Sequence, residues 1–456
     1  MTPRLRRLLL LLPLFTGTLL PLGAARPVKG TAVPGIVPPT PEDAPLTPGQ
    51  LAGVRALMGR ANGFRLGLLI ADAQTGRALY ARRPDEPYTP ASNMKLLSLS
   101  AALYTLGPDY WFSTSVTRPP GISAQATHLT LVGGGDPSLE ANLGEHSLAG
   151  LARQVYAGGL RSVGDLRLDA HLIGAVAGQG EAGWRLPVVE RPVSGLTLND
   201  PSAGDGAELT TPPDARAAVL SVGAVFRSEL ERAGVKVTGK LVPGPASGPP
   251  EDGVATTRSV PLASLVRSAM KRSDNVWTEQ LYARLGVNTQ TPEWRPASLL
   301  HARAQQTRLL NRAGVNAAGL VIHDGSGLSA GDRLTPRALV GLLRCVYLRP
   351  VGSTLGPQAA FRERKNLFIE ALPRAGTGTA SEEAALQGGT LATRLPGLDV
   401  RAKTGTLPGV SALSGYLTTK SGRVLIFSVL MDNYGGPGQE LRQLQDALLR
   451  ALAADL

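Results

Sequence analysis

Strand-like patterning stands at both ends of this chain with helical patterning between, so its main sheet must be assembled from residues far apart in sequence. Near the start, Arg65 to Tyr80 reads as a hairpin: apolar Leu66 to Ile70, a turn at Gln74-Thr75-Gly76, then Ala78 to Tyr80. At the other end, Lys403 to Leu407, Ala412 to Thr418 and Arg423 to Met431 read as successive strands, the last two joined at Lys420-Ser421-Gly422, and a helix from about Gln439 to Leu452 follows. Helices are expected over Ser92–Leu106, Leu262–Lys271, Val276–Leu285, Pro296–Ala313 and Thr335–Tyr347. The first of these is apolar around most of its circumference and ends at Gly107, which predicts a central, buried helix.

Between Thr114 and Val254 the character changes. Short strand-like runs (His128 to Val132, Leu166 to Leu168, Ala218 to Val222, Val235 to Leu241) alternate with helical stretches (Leu148 to Tyr156, Phe226 to Ala233), as an inserted α/β unit would. A turn cluster from Pro243 to Gly253 marks its end. The expected division is therefore a leader over 1–25, a Pro-rich lead-in over 26–48, a first part of the main domain over 49–113, an insert over 114–254, and the rest of the main domain over 255–456.

The leader follows from Arg4, Arg6 and Arg7, the apolar run Leu8 to Leu20, and the small residues Gly23, Ala24 and Ala25, the pattern of a secretory signal peptide. That run is too short for a confident membrane span. No comparable stretch follows, so the expected product is exported, to the periplasm or cell envelope, with no membrane span after leader removal. The net charge of +12 comes mostly from arginines scattered singly, without the basic-aromatic interleaving of a nucleic-acid surface. It is compatible with plain solubility or with attraction to an anionic wall. The one cysteine, Cys345, lies in an apolar helical pattern and has no partner for a disulfide within the chain. The five histidines (128, 146, 171, 301, 323) show no metal-ligand spacing, and no metal or other cofactor is expected.

Three short motifs can carry chemistry. Ser92-Asn93-Met94-Lys95 opens a helix, where unpaired N–H groups favour a developing alkoxide. Lys95 lies three residues on, on the same face, and a lysine in an apolar helix is desolvated, which suits it to act as a base. Ser273-Asp274-Asn275 falls between two helices; Ser273 offers a hydroxyl to relay a proton and Asn275 an amide for a substrate carbonyl. Lys403-Thr404-Gly405-Thr406 opens a strand, with a positive charge for a substrate carboxylate at Lys403, close backbone approach at Gly405, and an N–H to donate at Thr406. Each also reads as ordinary structure: a helix cap with an outward lysine, a second cap, and a strand start. Decoys exist: Ser268 to Lys271 repeats S-x-x-K and is read as surface, and Lys420-Ser421-Gly422 is read as a turn. With only eight lysines in 456 residues, a set that requires two at fixed places is hard to meet by accident.

Together, in this order, the motifs resemble those of penicillin-binding proteins and serine β-lactamases. The long interval between Ser92 and Ser273 resembles the class C low-molecular-mass penicillin-binding proteins, the D-alanyl-D-alanine carboxypeptidase/endopeptidase family S13, which insert domains at this point. So do Gly135-Asp136-Pro137-Ser138-Leu139, Pro192 to Asn199, Asp324-Gly325-Ser326-Gly327-Leu328-Ser329 and Leu334-Thr335-Pro336. The resemblance implies an α/β (α+β) fold. A transpeptidase-like domain has an antiparallel sheet from both termini flanked by helices, with a helical subdomain and an inserted α/β domain, one of the family's two inserts being reduced or missing. It implies Ser92 as nucleophile, Lys95 as base, Ser273 as proton relay, and Asn275, Lys403, Thr404, Gly405 and Thr406 as substrate-binding residues. Peptidoglycan stem peptides are the implied substrates and β-lactams the acylating inhibitors. A class A β-lactamase would need E-x-x-L-N between the second and third motifs, which Glu279, Glu293, Glu363, Glu370 and Glu382 do not supply. An α/β-hydrolase elbow at Gly327-Leu328-Ser329-Ala330-Gly331 lacks the strand-turn-helix setting, and a non-catalytic wall-binding scaffold would not need the intact set.

Overall fold

The computed structural model describes residues 32–38, 46–60, 63–173, 192–199, 214–245, 251–287 and 297–454. The leader expected over 1–25 and most of the Pro-rich lead-in lie outside these residues. In chain order the strands are β1 (Arg65–Asp72), β2 (Ala78–Arg82), β3 (Ser113–Arg118), β4 (Gln125–Gly133), β5 (Ser162–Asp169), β6 (Lys236–Val237), β7 (Leu241–Pro243), β8 (Asp252–Arg258), β9 (Asp399–Leu407), β10 (Val410–Thr418) and β11 (Val424–Asp432).

The first sheet has the order β2-β1-β11-β10-β9 and is antiparallel throughout. β1 lies directly against β11, from Arg65 opposite Asp432 to Asp72 opposite Leu425, so the two ends of the chain do build one sheet. Side chains alternate across it. Leu66, Leu68, Ile70, Leu425, Phe427 and Val429 pack with α1 (Pro48–Gly59) and the C-terminal helix Gly438–Ala454. Leu69, Ala71, Ile426 and Leu430 face the opposite way, toward the helical region. Both faces are covered, which is why β11 is apolar and buried along its whole length rather than alternating.

That helical region holds α2 (Met94–Leu106), α5 (Leu262–Arg272), α6 (Asn275–Leu285), α7 (Leu299–Arg312) and α8 (Pro336–Leu348). Of α2, every residue but Thr105 is buried, the central helix that its composition predicts. The helix begins two residues later than the sequence suggests. Ser92 sits in a 3-10 turn, Ala91–Asn93, that follows Pro90 and precedes Met94, with Ala91 held at φ +46°. Cys345 is free and buried in α8.

The second sheet draws its strands from β3 to β8 in the order β6-β5-β4-β3-β8, with β7 also beside β5. Its core packs against α3 (Leu148–Ala157) and α4 (Ala215–Arg232). Ala218 to Val222, expected as a strand, lies inside α4. Its β-branched valines look strand-like locally, but Val219, Val222, Phe226 and Leu230 fall on one helical face and are buried, and Asp214 caps the first turn through Ala217 N–H. The expected strand Val235 to Leu241 is broken into β6 and β7 around Gly239, whose Cα lies against Asp165.

Candidate active site

The cleft forms where the edge strand β9, the turn carrying Ser92 and the α5–α6 junction meet. Lys95, wholly buried on the first turn of α2, directs its Nζ to Ser92 Oγ at 3.1 Å. The same nitrogen donates to Asn275 Oδ1 at 2.6 Å and to the Ser326 carbonyl at 2.8 Å. A neutral amine has two N–H bonds and one lone pair. Among these neighbours, an amide oxygen and a peptide carbonyl can only accept. They take the two N–H bonds and leave the lone pair facing the Ser92 hydroxyl.

The α5–α6 junction explains its own sequence. Ser273 ends α5 in the left-handed conformation (φ 59°, ψ 35°), and Asp274 caps α6 by accepting from Trp277 N–H at 2.8 Å. The cap reading is thus correct for Asp274, while its two neighbours turn into the cleft. Ser273 Oγ accepts from Lys403 Nζ at 2.8 Å.

β9 brings its residues in from the other side. Lys403 is fully buried and also donates to the Thr404 carbonyl at 2.9 Å. Burial, and then the neighbouring Lys95, hold its ammonium well below the usual lysine range. The Lys403 Nζ thus stands beside the Ser273 hydroxyl, on the cleft side of β9. A Cβ at Gly405 would meet Pro90 O at 2.8 Å, Ala91 Cβ at 3.1 Å and Asn93 Nδ2 at 3.1 Å, so β9 and the turn carrying Ser92 approach closely there. Thr404 Oγ1 donates to Thr390 Oγ1 at 2.8 Å, and Thr406 is exposed.

The second S-x-x-K is not surface. Lys271 is 2 % exposed; its Nζ donates to the carbonyls of Leu372 and Gln387, and burial pushes its pKa down to about 8. Its stem crosses α5 toward the short helices Leu367–Ala371 and Glu382–Gly388, whose neighbouring carbonyls need donors. Ser329 follows a Gly-rich turn with no helix until Pro336. Its N–H donates to Asp324 Oδ2 and its Oγ accepts from Gly331 N–H, so it has no elbow geometry.

Three participants escape the sequence reading: Asn93, whose Nδ2 donates to the Lys403 carbonyl at 3.0 Å; Ser326, which serves through its backbone carbonyl; and Glu279, 1 % exposed, which accepts from the N–H groups of Gly325 and Ser326. Asn93 and Ser326 stand inside motifs that the sequence singles out, but nothing in their side chains marks these roles. Farther along α6, Gln280 Oε1 accepts from Ser194 N–H, and Trp277 Nε1 donates to Asn199, itself bonded to Glu140. These contacts bring 192–199, with Glu140 beside it, against α6. Among the described residues, no three His, Cys, Asp or Glu side chains are grouped to hold a metal.

The family model described as D-Ala-D-Ala carboxypeptidase 3 (S13) matches residues 51–185 and 206–454. The "D-alanyl-D-alanine carboxypeptidase" of Actinomadura sp. (strain R39) is 30% identical over 506 residues, covering 90% of this chain and 89% of that protein. The "Carboxypeptidase DacB" of Mycolicibacterium smegmatis is 31% identical, covering 93% of this chain and 89% of its own. Among solved structures, penicillin binding protein 4 from Haemophilus influenzae superimposes with a TM-score of 0.66 at 21% identity, over 88% of this chain and 98% of that one.

Proposed function

The chain belongs to the D-Ala-D-Ala carboxypeptidase 3 (S13) family, and we propose that it removes terminal D-alanine from peptidoglycan stem peptides through an acyl-enzyme on Ser92. The observation that carries this reading is the Lys95 amine, 3.1 Å from Ser92 Oγ, with acceptors at Asn275 and Ser326 committing its other two directions.

In the proposed reaction Lys95 takes the Ser92 proton as Oγ attacks the carbonyl carbon between the two D-alanines. The backbone N–H groups of Ser92 and Thr406 stabilise the oxyanion. As the tetrahedral adduct collapses, the C–N bond breaks and the departing amine takes a proton through the Ser273 hydroxyl. Ser273 is well suited to this because Lys403 donates to its oxygen, leaving its own proton free to be passed on. The terminal carboxylate rests toward Lys403, along the Thr404–Thr406 edge of β9. Asn275, with Oδ1 on Lys95, presents an amide to a substrate carbonyl in this reading. Water, activated by Lys95, then hydrolyses the ester and restores Ser92. A cross-linked peptide whose scissile bond occupies the same position would be cut by the same steps.

Penicillins, whose lactam carbonyl stands in for the scissile bond, acylate the same oxygen in this reading. The leader composition over residues 1–25 supports export, and the substrate then lies in the cell envelope. Intact-mass analysis after penicillin exposure, followed by peptide mapping, tests the proposal. One adduct on the peptide holding Ser92 supports it; no adduct, or one elsewhere, overturns it.

A further inference from the structure

Behind the Lys95 amine lies a group of buried carboxyls that the reaction above does not use. Glu279 stands one turn after Asn275 on α6, on the same face. Its Oε1 accepts the N–H groups of Gly325 at 2.9 Å and Ser326 at 2.5 Å. The next N–H, of Gly327, donates to Asp324 Oδ1 at 2.6 Å. Two carboxylates thus clamp consecutive peptide units on either side of Ser326, whose carbonyl then meets Lys95 Nζ at 2.8 Å. The clamp has little slack, because a Cβ on Gly327 would lie 1.9 Å from the Ala91 carbonyl, next to the nucleophile. One face of α6 therefore supplies both fixed acceptors of the amine, Asn275 directly and Ser326 through Glu279.

Holding two N–H groups does not require a charge, and a buried carboxylate is costly unless it is matched. The groups facing Glu279 are Lys95 from α2, Asp324 and Asp332 from the loop before α8, and Tyr282 on its own helix, with Arg303 of α7 beside Tyr282 and Lys403 beyond Lys95. Burial and Asp324 raise the Glu279 carboxyl well above the usual range even against the pull of Lys95, and Asp332 is raised by burial and by the same Asp324. The amine and this carboxyl group ionise against each other.

We propose that Glu279 is a positioning residue for acylation, aiming the Lys95 lone pair at Ser92 through its hold on Ser326 and setting, by its charge, the pH at which that lone pair is free. The inference rests on the reading of Ser92 and Lys95 as nucleophile and base.

Two variants of the full chain separate aim from charge, with the rate of acylation by a fluorescent penicillin followed between about pH 5.5 and 9.5. Glu279→Gln keeps an oxygen for the two N–H groups and removes the charge. Without its counter-charge Lys95 releases its proton more readily, so the acidic limb of the rate profile moves about one unit lower. Glu279→Asp keeps the charge and draws it back from Ser326, so the limb stays and the plateau rate falls about tenfold. A Glu279→Gln limb that is unmoved or displaced upward overturns the proposal. So does Glu279→Asp acylating at the wild-type rate, which decides the matter alone if near-ultraviolet circular dichroism shows Glu279→Gln unfolded. Peptide mapping of the labelled wild-type sample keeps the two readings apart: an adduct away from Ser92 defeats the underlying assignment, whereas one on Ser92 with an unmoved limb defeats only the role of Glu279.

Discussion

Asn93 and Lys403, 310 positions apart in the chain, are joined by a buried hydrogen bond of 3.0 Å from the asparagine amide to the lysine carbonyl. The bond ties the Ser92 turn to the edge strand, so the spacing between Ser92 and the Thr404–Thr406 edge depends on it. Asn93→Ala removes this buried hydrogen bond, a loss of about 0.5–1.5 kcal/mol. Acylation by penicillin should fall by about tenfold or more, because in the proposed reaction Ser92 and the β9 edge must keep registry. Urea unfolding and labelling kinetics check the two halves separately; unchanged labelling in a destabilised protein would reduce the bond to a structural one.

Gly405 makes the same contact from the strand side. Gly405→Ala places a methyl 2.8 Å from Pro90 O, a contact with backbone that no side-chain rotation relieves. The expected outcome is a loss of about 1–3 kcal/mol with acylation reduced by about a hundredfold. Wild-type kinetics in this variant would show that the turn and the strand move independently.

The competing serines give a cleaner test. Ser92→Ala should abolish covalent labelling, while Ser268→Ala and Ser329→Ala label as the wild type does, since neither hydroxyl lies on the Lys95 amine. Fluorescent penicillin on denaturing gels distinguishes them, and loss of label in either of the last two would reopen the assignment.

Lys271 carries a pH dependence of stability. Its pKa is about 8 in the folded protein against 10.5 for a free side chain, because burial penalises the ammonium. Below about pH 8 both states are protonated and the full penalty stands; as pH rises from there to 10.5 the folded state binds fewer protons and gains relative stability. Wild type should therefore gain up to about 3 kcal/mol on Lys271→Met across that window. Parallel urea titrations at several pH values check the slope; parallel curves would mean that the ammonium is not desolvated.

What the sequence made legible was whatever local pattern and motif chemistry determine. The hairpin at Gln74-Thr75-Gly76, the burial of α2 and the strands at Lys403 and Ala412 all follow from periodicity and turn residues read in place. Ala218 to Val222 misled because four apolar residues in five satisfy either period, and only the longer run to Leu230 selects the helix. Lys271 misled for a different reason: its partners are carbonyls of Leu372 and Gln387, more than a hundred positions away, and carbonyls carry no sequence signature. Glu279 and Ser326 were hidden likewise, since one acts on backbone N–H groups and the other through its own C=O. Motifs reveal the groups that react, but the atoms that orient them belong to the common backbone.

The adjacency of β1 and β11 has a consequence for biogenesis. Because residue 65 pairs with residue 432, the sheet beside the Ser92 turn cannot close until nearly the whole polypeptide is available, whereas α3, α4 and their six strands can condense from a contiguous middle segment. Chains stalled in synthesis or clipped before Val424 would hold a folded insert and no reactive serine. Competence to cut the wall would thus arrive only with the final strand.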